Sequence, residues 1–596
     1  EGTSEIYFAV IATSLTLAVV FIPVVFLGGF VGRLFREFGV VVAGCVMVSA
    51  FVSLTLTPVL NIYFTTKSIE HGWFYRVTEP FYKSMENIYE SMLKSFIQIR
   101  WLSILIILAC GFLTYYLINK LPSELSPLED KSQFRLSVSA PEGSSFEYMD
   151  KYLDKVTNLV IDSVPEKEIV LSVTAPTFFG SGAANTGFVR VLLVDPKERM
   201  ASQDQIVQRI SKSLSKISEG RAFPIQEQTI SVNRRGGLPV QFVIQNNDFE
   251  KIKSALPNIL EAASKSKILV NVDSDLKFNK PELMLEINRS KASELGISIE
   301  DISTTLQLAM SNRRFGYFTM NGKQYQVIGQ VDKSFRDAPE DIKLLGVRNK
   351  YGKIVSIDNV ISIKEIVTTP TLYHFNRYKS ATISAGLAEG SALGDGIKEM
   401  KSITKEFLDS SFTTSLSGVS RDFVESSGGI GFAFIIALIM IFLVLAAQFN
   451  SFIDPLIIMS TVPLAIFGAL ISLWLFNQSI NIFSQIGMIM LIGLVTKNGI
   501  LIVDFANQKR LKGEEKYMAI IDASKQRLRP ILMTSLAMIC GATPLALSLG
   551  SGSTSRVSLG LVIIGGLLFS LILTLFIVPS IYSYISRPKK EIYESL

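Results

Sequence analysis

The chain has 596 residues, 48% hydrophobic and 18% charged, with a formal net charge of +6 and a mean hydropathy of +0.37. That is too apolar for an ordinary soluble enzyme and too charged for a chain lying wholly in lipid. Two histidines (His71 and His374) stand isolated, the three cysteines lack disulfide or zinc spacing, and no phosphate-binding glycine–lysine loop occurs. An enzyme, a metal centre and an ATP-driven machine are therefore not expected, and no cofactor is implied.

Two apolar runs open the chain, near 6–27 and 38–64. Each is long enough to cross a bilayer, which takes roughly 20 residues. Residues 74–99 then set Phe74, Val77, Phe81, Met85, Ile88, Met92, Phe96 and Ile99 at helical spacing, with Lys83, Glu86, Glu90, Lys94 and Gln98 on the other face. Such a helix lies in the membrane interface or packs as a cytoplasmic helix. A third span is predicted at 100–121.

Residues 122–424 have ordinary globular composition. Alternation over 133–140 predicts a half-buried strand, and Phe146, Met149, Leu153, Val156 and Val160 form one stripe of a following helix. Strands near 168–174 and 188–194, a helix near 203–217 and a strand near 223–230 complete a split βαβ, or ferredoxin-like, unit. A second unit starts with a strand at 240–246 and ends with a strand at 380–387 and a helix at 394–408. An α/β piece is inserted at roughly 277–375, with a capping-box helix start at Ser298-Ile299-Glu300-Asp301. Five spans follow, near 429–448, 452–476, 481–506, 530–550 and 557–585.

Charge sets the orientation. The 507–529 loop carries Lys509, Arg510, Lys512, Lys516, Lys525, Arg527 and Arg529; the tail carries Arg587, Lys589 and Lys590; the 65–99 connection carries Lys67, Arg76, Lys83 and Lys94. The positive-inside rule makes all three cytoplasmic. Counting spans then puts 122–424 on the outer side, which in a Gram-negative cell is the periplasm. These loops account for the net charge, so no nucleic-acid partner is needed. Cys45, Cys110 and Cys540 fall within apolar runs and read as small buried residues.

The first and last spans echo each other. Thr13, Ser14, Leu15 and Pro23 recur 521 positions later as Thr534, Ser535, Leu536 and Pro544. At the same offset Gly39, Gly44, Ser49 and Pro58 recur as Gly560, Gly565, Ser570 and Pro579. Small residues and prolines inside apolar helices mark where helices touch or bend, so the spacing is a packing fingerprint. A repeated transmembrane architecture points to a transporter. The chain is expected to hold the tail of one repeat and all of a second, as the C-terminal part of a longer protein.

Lys497 is the sharpest functional signal. It lies inside the sixth span, about nine residues or roughly 14 Å from the cytoplasmic end, beyond the reach of its own side chain. Intramembrane charge marks an ion path by default. Such a lysine needs a buried partner or must lose its proton, unless it packs neutral or lines a water cavity. Asp504 is two turns away, roughly 10 Å, too far for an ion pair, and no other carboxylate is expected in mid-span. The repeat offset carries position 497 to a point before residue 1, where the acidic partner is expected. Thr534 and Ser535 offer hydroxyls, or bond back to their own helix. Arg527 and Arg529 stand at the cytoplasmic edge as anchors or relay groups.

The chain resembles the resistance-nodulation-division (RND) transporters, in the hydrophobe/amphiphile efflux branch. The matching strings run from Gly493 to Ala506 (GLVTKNGILIVDFA) and from Arg527 to Ser535 (RLRPILMTS), with Ala447–Ser451 (AQFNS), Leu54–Pro58 (LTLTP) and Asn185-Thr186-Gly187 in support. The resemblance implies an α-helical transmembrane bundle plus a large α+β periplasmic region of ferredoxin-like porter subdomains with an inserted docking subdomain. It divides the chain into two helices over 1–64, an interfacial helix over 65–99, a helix over 100–121 and a first porter subdomain over 122–230. The second porter subdomain follows over 231–276 and 376–424, interrupted by the docking subdomain over 277–375. Five helices over 425–586 and a cytoplasmic tail over 587–596 complete the chain.

The resemblance further implies an inner-membrane homotrimer that exports small amphiphilic compounds in exchange for protons. It would work with a periplasmic adaptor and an outer-membrane channel. By motif, Lys497, Thr534 and Arg527 match the family's proton relay, with Asn498 beside the lysine, while the aspartate pair that answers the lysine is not in this chain. Phe178, Phe179, Gly180, Gly182, Asn185 and Gly187 match the switch loop of the substrate path. Multidrug members carry phenylalanines where Ser172, Thr177 and Arg190 stand, so a lipid, a siderophore or a signal also qualifies as substrate. Two further readings stay open. One is a heavy-metal exporter, which would need a methionine cluster where the first unit has only Met149 and Met200. The other is a truncated or receptor-like membrane protein that transports nothing.

Overall fold

The computed structural model describes residues 2–26, 28–64, 73–176, 183–228, 237–311, 313–548 and 554–586. Lys67, His71, Thr177, Phe178, Phe179, Gly180, Gly182 and the basic tail lie outside them. Helices α1 (Gly2–Val25), α2 (Gly29–Phe64), α3 (Trp73–Gln98) and α4 (Trp101–Lys120) open the chain.

The first sheet follows from β1 (Gln133–Ser139), α5 (Phe146–Ser163), β2 (Lys167–Thr174), β3 (Thr186–Leu193), α6 (Gln203–Leu214) and β4 (Arg221–Ile225). Its strands are antiparallel in the order β2-β3-β1-β4, the split βαβ order. Phe134, Leu136 and Val138 point to one face, where Met149, Leu153, Val156 and Val160 of α5 and Ile206 and Ile210 of α6 cover them. Phe146 departs from the expected stripe and is exposed. It is the first residue after the Ser145 cap, and Tyr152 fills the buried face instead.

The same order recurs in β5 (Val240–Asn246), α7 (Phe249–Ser264) and β6 (Leu269–Ser274). The chain then leaves through β7 (Lys280–Ile287), α8 (Arg289–Glu294), α9 (Ile299–Met310), β8 (Arg313–Met320), β9 (Lys323–Gly329), β10 (Gly346–Arg348), β11 (Ile354–Ser356) and β12 (Ile361–Thr368). It returns as β13 (Tyr373–Phe375), β14 (Tyr378–Leu387), α10 (Leu393–Phe407) and β15 (Thr413–Leu416). The second sheet runs β13-β14-β5-β15, with β6 also on β14. The inserted piece pairs β7 with β12 and has its own small core around Ile302, Val347, Ile357 and Val360. Ser298 caps α9, accepting from the Asp301 amide at 3.0 Å.

The membrane part continues with α11 (Gly418–Phe449), α12 (Ile453–Met459), α13 (Thr461–Leu475), α14 (Ile482–Leu511), α15 (Lys516–Ala546) and α16 (Thr554–Ile585). Among the described residues, seven helical stretches are long and apolar enough to cross a membrane, and Val10–Val25 adds a shorter apolar helix. The 507–529 connection is mostly helical rather than a loop, because α14 runs on to Leu511 and α15 starts at Lys516.

The sequence echo is a packing echo. A Cβ at Gly560 would fall 2.5 Å from the Ala546 nitrogen, and one at its counterpart Gly39 would fall 3.5 Å from the Phe21 oxygen. So α16 lies against α15 as α2 lies against α1. Gly565 is crossed by α13, with a Cβ there 2.4 Å from Ser472 Cβ and 2.8 Å from the Gly468 oxygen, whereas a Cβ at its counterpart Gly44 would meet nothing within 4 Å among the described residues.

The cysteine expectation needs correction, and packing divides the α3 stripe. Met85 packs on the bundle and Phe96 lies 5.7 Å from the Phe576 ring, Phe81, Ile88 and Met92 are exposed, as is Ile99 just past the helix end, and Tyr89, Leu93 and Ile97 beside the stripe are buried. Tyr89 donates to the Leu575 carbonyl at 2.6 Å. The helix carries two adjacent apolar faces, and the one with a polar anchor packs while Phe81, Ile88 and Met92 of the other are left as a lipid-facing surface is. Of the cysteines, Cys110 is buried but Cys45 and Cys540 are exposed, because apolar residues of a membrane helix also face outward.

Candidate functional site

Lys497 stands near the middle of α14, the helix at the centre of the bundle. Gly493, one turn before it, admits α1: a Cβ there would lie 2.6 Å from Leu17 Cδ1. Lys497 itself is half-buried. It lines a cleft of about 420 Å³ together with Thr13, Ser14 and Leu17 of α1 and Cys45 and Ser49 of α2. No carboxylate forms an ion pair with it among the described residues. Asp504, two turns away, instead accepts from Gln508 at 2.9 Å.

The next residue faces the other way. Asn498 is buried and its Nδ2 donates to Ser535 Oγ on α15 at 3.4 Å, a long bond. Its Oδ1 has no hydrogen-bond partner among the described residues, which is costly in an apolar interior. Thr534 donates back to the Ile531 carbonyl at 3.2 Å. Arg527 does not join this group: its guanidinium lies 4.4 Å from the Phe505 ring centroid, about two turns along α14 from Lys497. Tertiary packing thus joins Asn498 to Ser535, turns Lys497 toward α1 and α2, and sets Arg527 apart.

The expected switch-loop residues that are described serve the first sheet. Asn185 is buried and its Nδ2 donates to the Ala140 carbonyl at 3.4 Å. Gly187 sits in β3, where a Cβ would meet Met149 Cε and the Val173 oxygen at 3.0 Å. Phe178, Phe179, Gly180 and Gly182 are outside the described residues.

Sequence reasoning missed a second polar cluster. Asp454 of α12 is buried and accepts from Asn507 at 3.2 Å. Asn507 accepts from the Tyr582 hydroxyl at 2.7 Å, and Arg510 donates to Tyr582 at 3.3 Å and to Ser586 at 2.9 Å. This chain ties α12, α14 and α16 together. An aspartate opening an apolar run was the available signal.

A half-buried lysine, an amide with an orphaned oxygen and hydroxyls on two neighbouring helices can accept, hold and release a proton within an apolar bundle. With two split βαβ sheets between echoed helix pairs, this describes a polytopic membrane permease. The chain belongs to the AcrB/AcrD/AcrF family of RND permeases, whose profile matches residues 1–586. It is 33% identical over 601 aligned positions to a protein of Haemophilus influenzae described as an uncharacterized transporter, covering 99% of this chain and 57% of that relative. The chain thus spans a little over half the length of that relative.

Proposed function

We propose that this chain is part of a proton-driven exporter of hydrophobic or amphiphilic compounds. The observation that carries this reading is Lys497, held in mid-helix without a carboxylate partner among the described residues and opening on the α1–α2 cleft. A charge so placed does work or is removed by selection for stability. In this reading Lys497 carries the proton, Asn498 and Thr534 line its path, and Arg527 stands at the cytoplasmic edge. The acidic partner approaches along the α1–α2 cleft, on a helix that relates to α1 and α2 as α14 relates to α15 and α16. The resemblance extends the proposal to a homotrimer in the inner membrane. Its sheets would form a periplasmic porter layer and its inserted piece a docking layer toward an adaptor and an outer-membrane channel. Phe178, Phe179, Gly180, Gly182, Asn185 and Gly187 would form the switch loop.

The test is efflux of a panel of amphiphilic dyes and detergents by the full-length transporter and its Lys497→Ala variant. Loss of export with unchanged membrane insertion is expected. Export at the wild-type rate would remove Lys497 from the mechanism.

A further inference from the structure

The connection between α4 and β1 is a loop built as a strut. Leu121, Leu125, Ser126 and Glu129 are buried in it, although connecting segments normally run over the surface. Its first residues pair with the entry to α14. Ile480 donates its amide to the Pro122 carbonyl at 2.8 Å, Glu124 donates to the Ile480 carbonyl at 3.0 Å, and Ile482 donates to the Leu125 carbonyl at 3.2 Å. Asn481, at the N-cap of α14, accepts from Ser558 of α16 at 3.1 Å, so the N-terminal ends of these two helices are joined. Further along the strut the Glu129 carboxylate accepts from the Ser555 amide, in the first turn of α16, at 3.0 Å. The next carboxylate, Asp130, serves the first sheet: it accepts from the Gln203 amide that opens α6 at 2.9 Å and pairs with Arg199. The Ser123 carbonyl serves the second sheet, accepting from the Gly394 amide in the first turn of α10 at 3.0 Å. Every bond in this set joins residues of this chain.

We infer that Glu129 and Asp130 are positioning residues that couple the lysine-bearing helix to the first sheet. Movement of α14 reaches α16, and α16 passes it through Glu129 to Asp130 and α6. The link from α14 to α16 is tight: a Cβ on Gly487 of α14 would lie 2.9 Å from Val562 of α16. The link from α16 to α6 is short. The two carboxylates sit on consecutive residues, whose Cα atoms a planar peptide holds about 3.8 Å apart. The start of α16 therefore cannot shift far without drawing the start of α6 with it. Each carboxylate also meets an amide of a helix start that has no partner within its own helix. Charge-assisted bonds are stronger there than neutral ones, and the helix dipole favours an anion. The second sheet is reached separately. A Cβ on Gly394 would lie 2.4 Å from Ser123 Oγ, so α10 sits directly on the strut. Glu129 and Asp130 thus address one sheet and Ser123 the other.

This inference rests on the reading of Lys497 as the group whose charge drives movement, and hydrogen exchange in the full-length transporter separates the two. Lys497→Met fixes the site neutral. It should change exchange in α14 and α16, and also at 203–214, there by at least about fivefold, the low end of an ordinary coupling between sites. In a Glu129→Ala background the change in α14 and α16 should remain and the response of 203–214 should vanish, while that of 393–407 stays. Glu129→Gln keeps a carbonyl acceptor for the Ser555 amide and should restore the response. Ser555→Pro removes the same bond from the helix side, at a first-turn position where proline is tolerated. It should act as Glu129→Ala does, and it carries the test if that variant fails to fold. A response of 203–214 that persists without the Glu129–Ser555 bond overturns the inference and leaves the lysine reading standing. So does loss of the responses at both 203–214 and 393–407, which a general loosening of the strut would produce. A Lys497→Met effect that stops at α14 and α16 in the otherwise wild-type protein overturns it as well. No change outside α14 on Lys497→Met defeats the lysine reading and the inference with it.

Discussion

Arg529 on α15 donates to Glu79 on α3 at 2.9 Å, across 450 positions of sequence. Its guanidinium also lies 4.3 Å from the Tyr82 ring centroid and 4.0 Å from Glu86. One turn earlier, Lys525 meets Glu90 at 2.7 Å. The amphipathic helix is therefore clasped by charge to the helix that carries Thr534 and Ser535.

Weakening this clasp should loosen α3 without unfolding the bundle. The Arg529–Glu79 pair is partly exposed, so Glu79→Gln is expected to cost about 1 kcal/mol or less. Arg529→Ala should cost somewhat more, because it also forfeits the contact with Tyr82. Hydrogen exchange is the measurement: faster exchange should be confined to 73–98, and Glu79→Arg combined with Arg529→Glu should slow it again. Faster exchange spread evenly over the bundle would show that the clasp is not local.

The two copies of one glycine should respond differently. Gly565→Leu places its side chain where α13 backbone already lies, so this chain should lose about 3 kcal/mol or fail to fold. Gly44→Leu meets nothing within 4 Å in the described structure and should leave the melting temperature of this chain almost unchanged. Equal damage from both would contradict the packing difference between α2 and α16.

Glu124, between α4 and β1, gives a pH prediction. Its carboxyl accepts from the Ser479 hydroxyl, and burial raises its pKa above the ordinary 4.5, with the Ser479 bond opposing the rise. A carboxyl with a raised folded pKa binds more protons in the folded state. Stability therefore falls as pH climbs from the unfolded value through the raised one. Glu124→Gln keeps an acceptor for Ser479 and removes the titration. Thermal melts should show the variant matching wild type at about pH 4 and exceeding it at about pH 8. A variant less stable than wild type at the higher pH would show that the carboxylate is welcome there.

Much of the architecture was legible along the chain because periodicity and burial report on local geometry. The alternation at Phe134, Leu136 and Val138 announced β1, and the apolar runs announced the spans. The site was legible only in part. Lys497 declared itself by charge in an apolar run, but nothing local told which helix it would face. Arg527 matched a relay motif yet stacks on Phe505. The stripe of α3 was legible as a stripe, but not which of its residues would pack, Met85 and Phe96, and which would stay exposed, Phe81, Ile88 and Met92, because hydropathy alone does not distinguish a protein neighbour from lipid. Asp454 passed unnoticed because its partner Asn507, and Tyr582 beyond it, are 53 and 128 positions away.

The sequence by itself determined the membrane character, the split βαβ order, the repeat and the lysine. These follow from composition and spacing, which act through the nearest turns of chain. Only the tertiary structure decided that Asn498 meets Ser535, that Lys497 turns to Thr13 and Ser14, and that α13 crosses Gly565. Those outcomes depend on which helices pack together. Close packing selects partners by shape over hundreds of residues, and no local pattern encodes that choice.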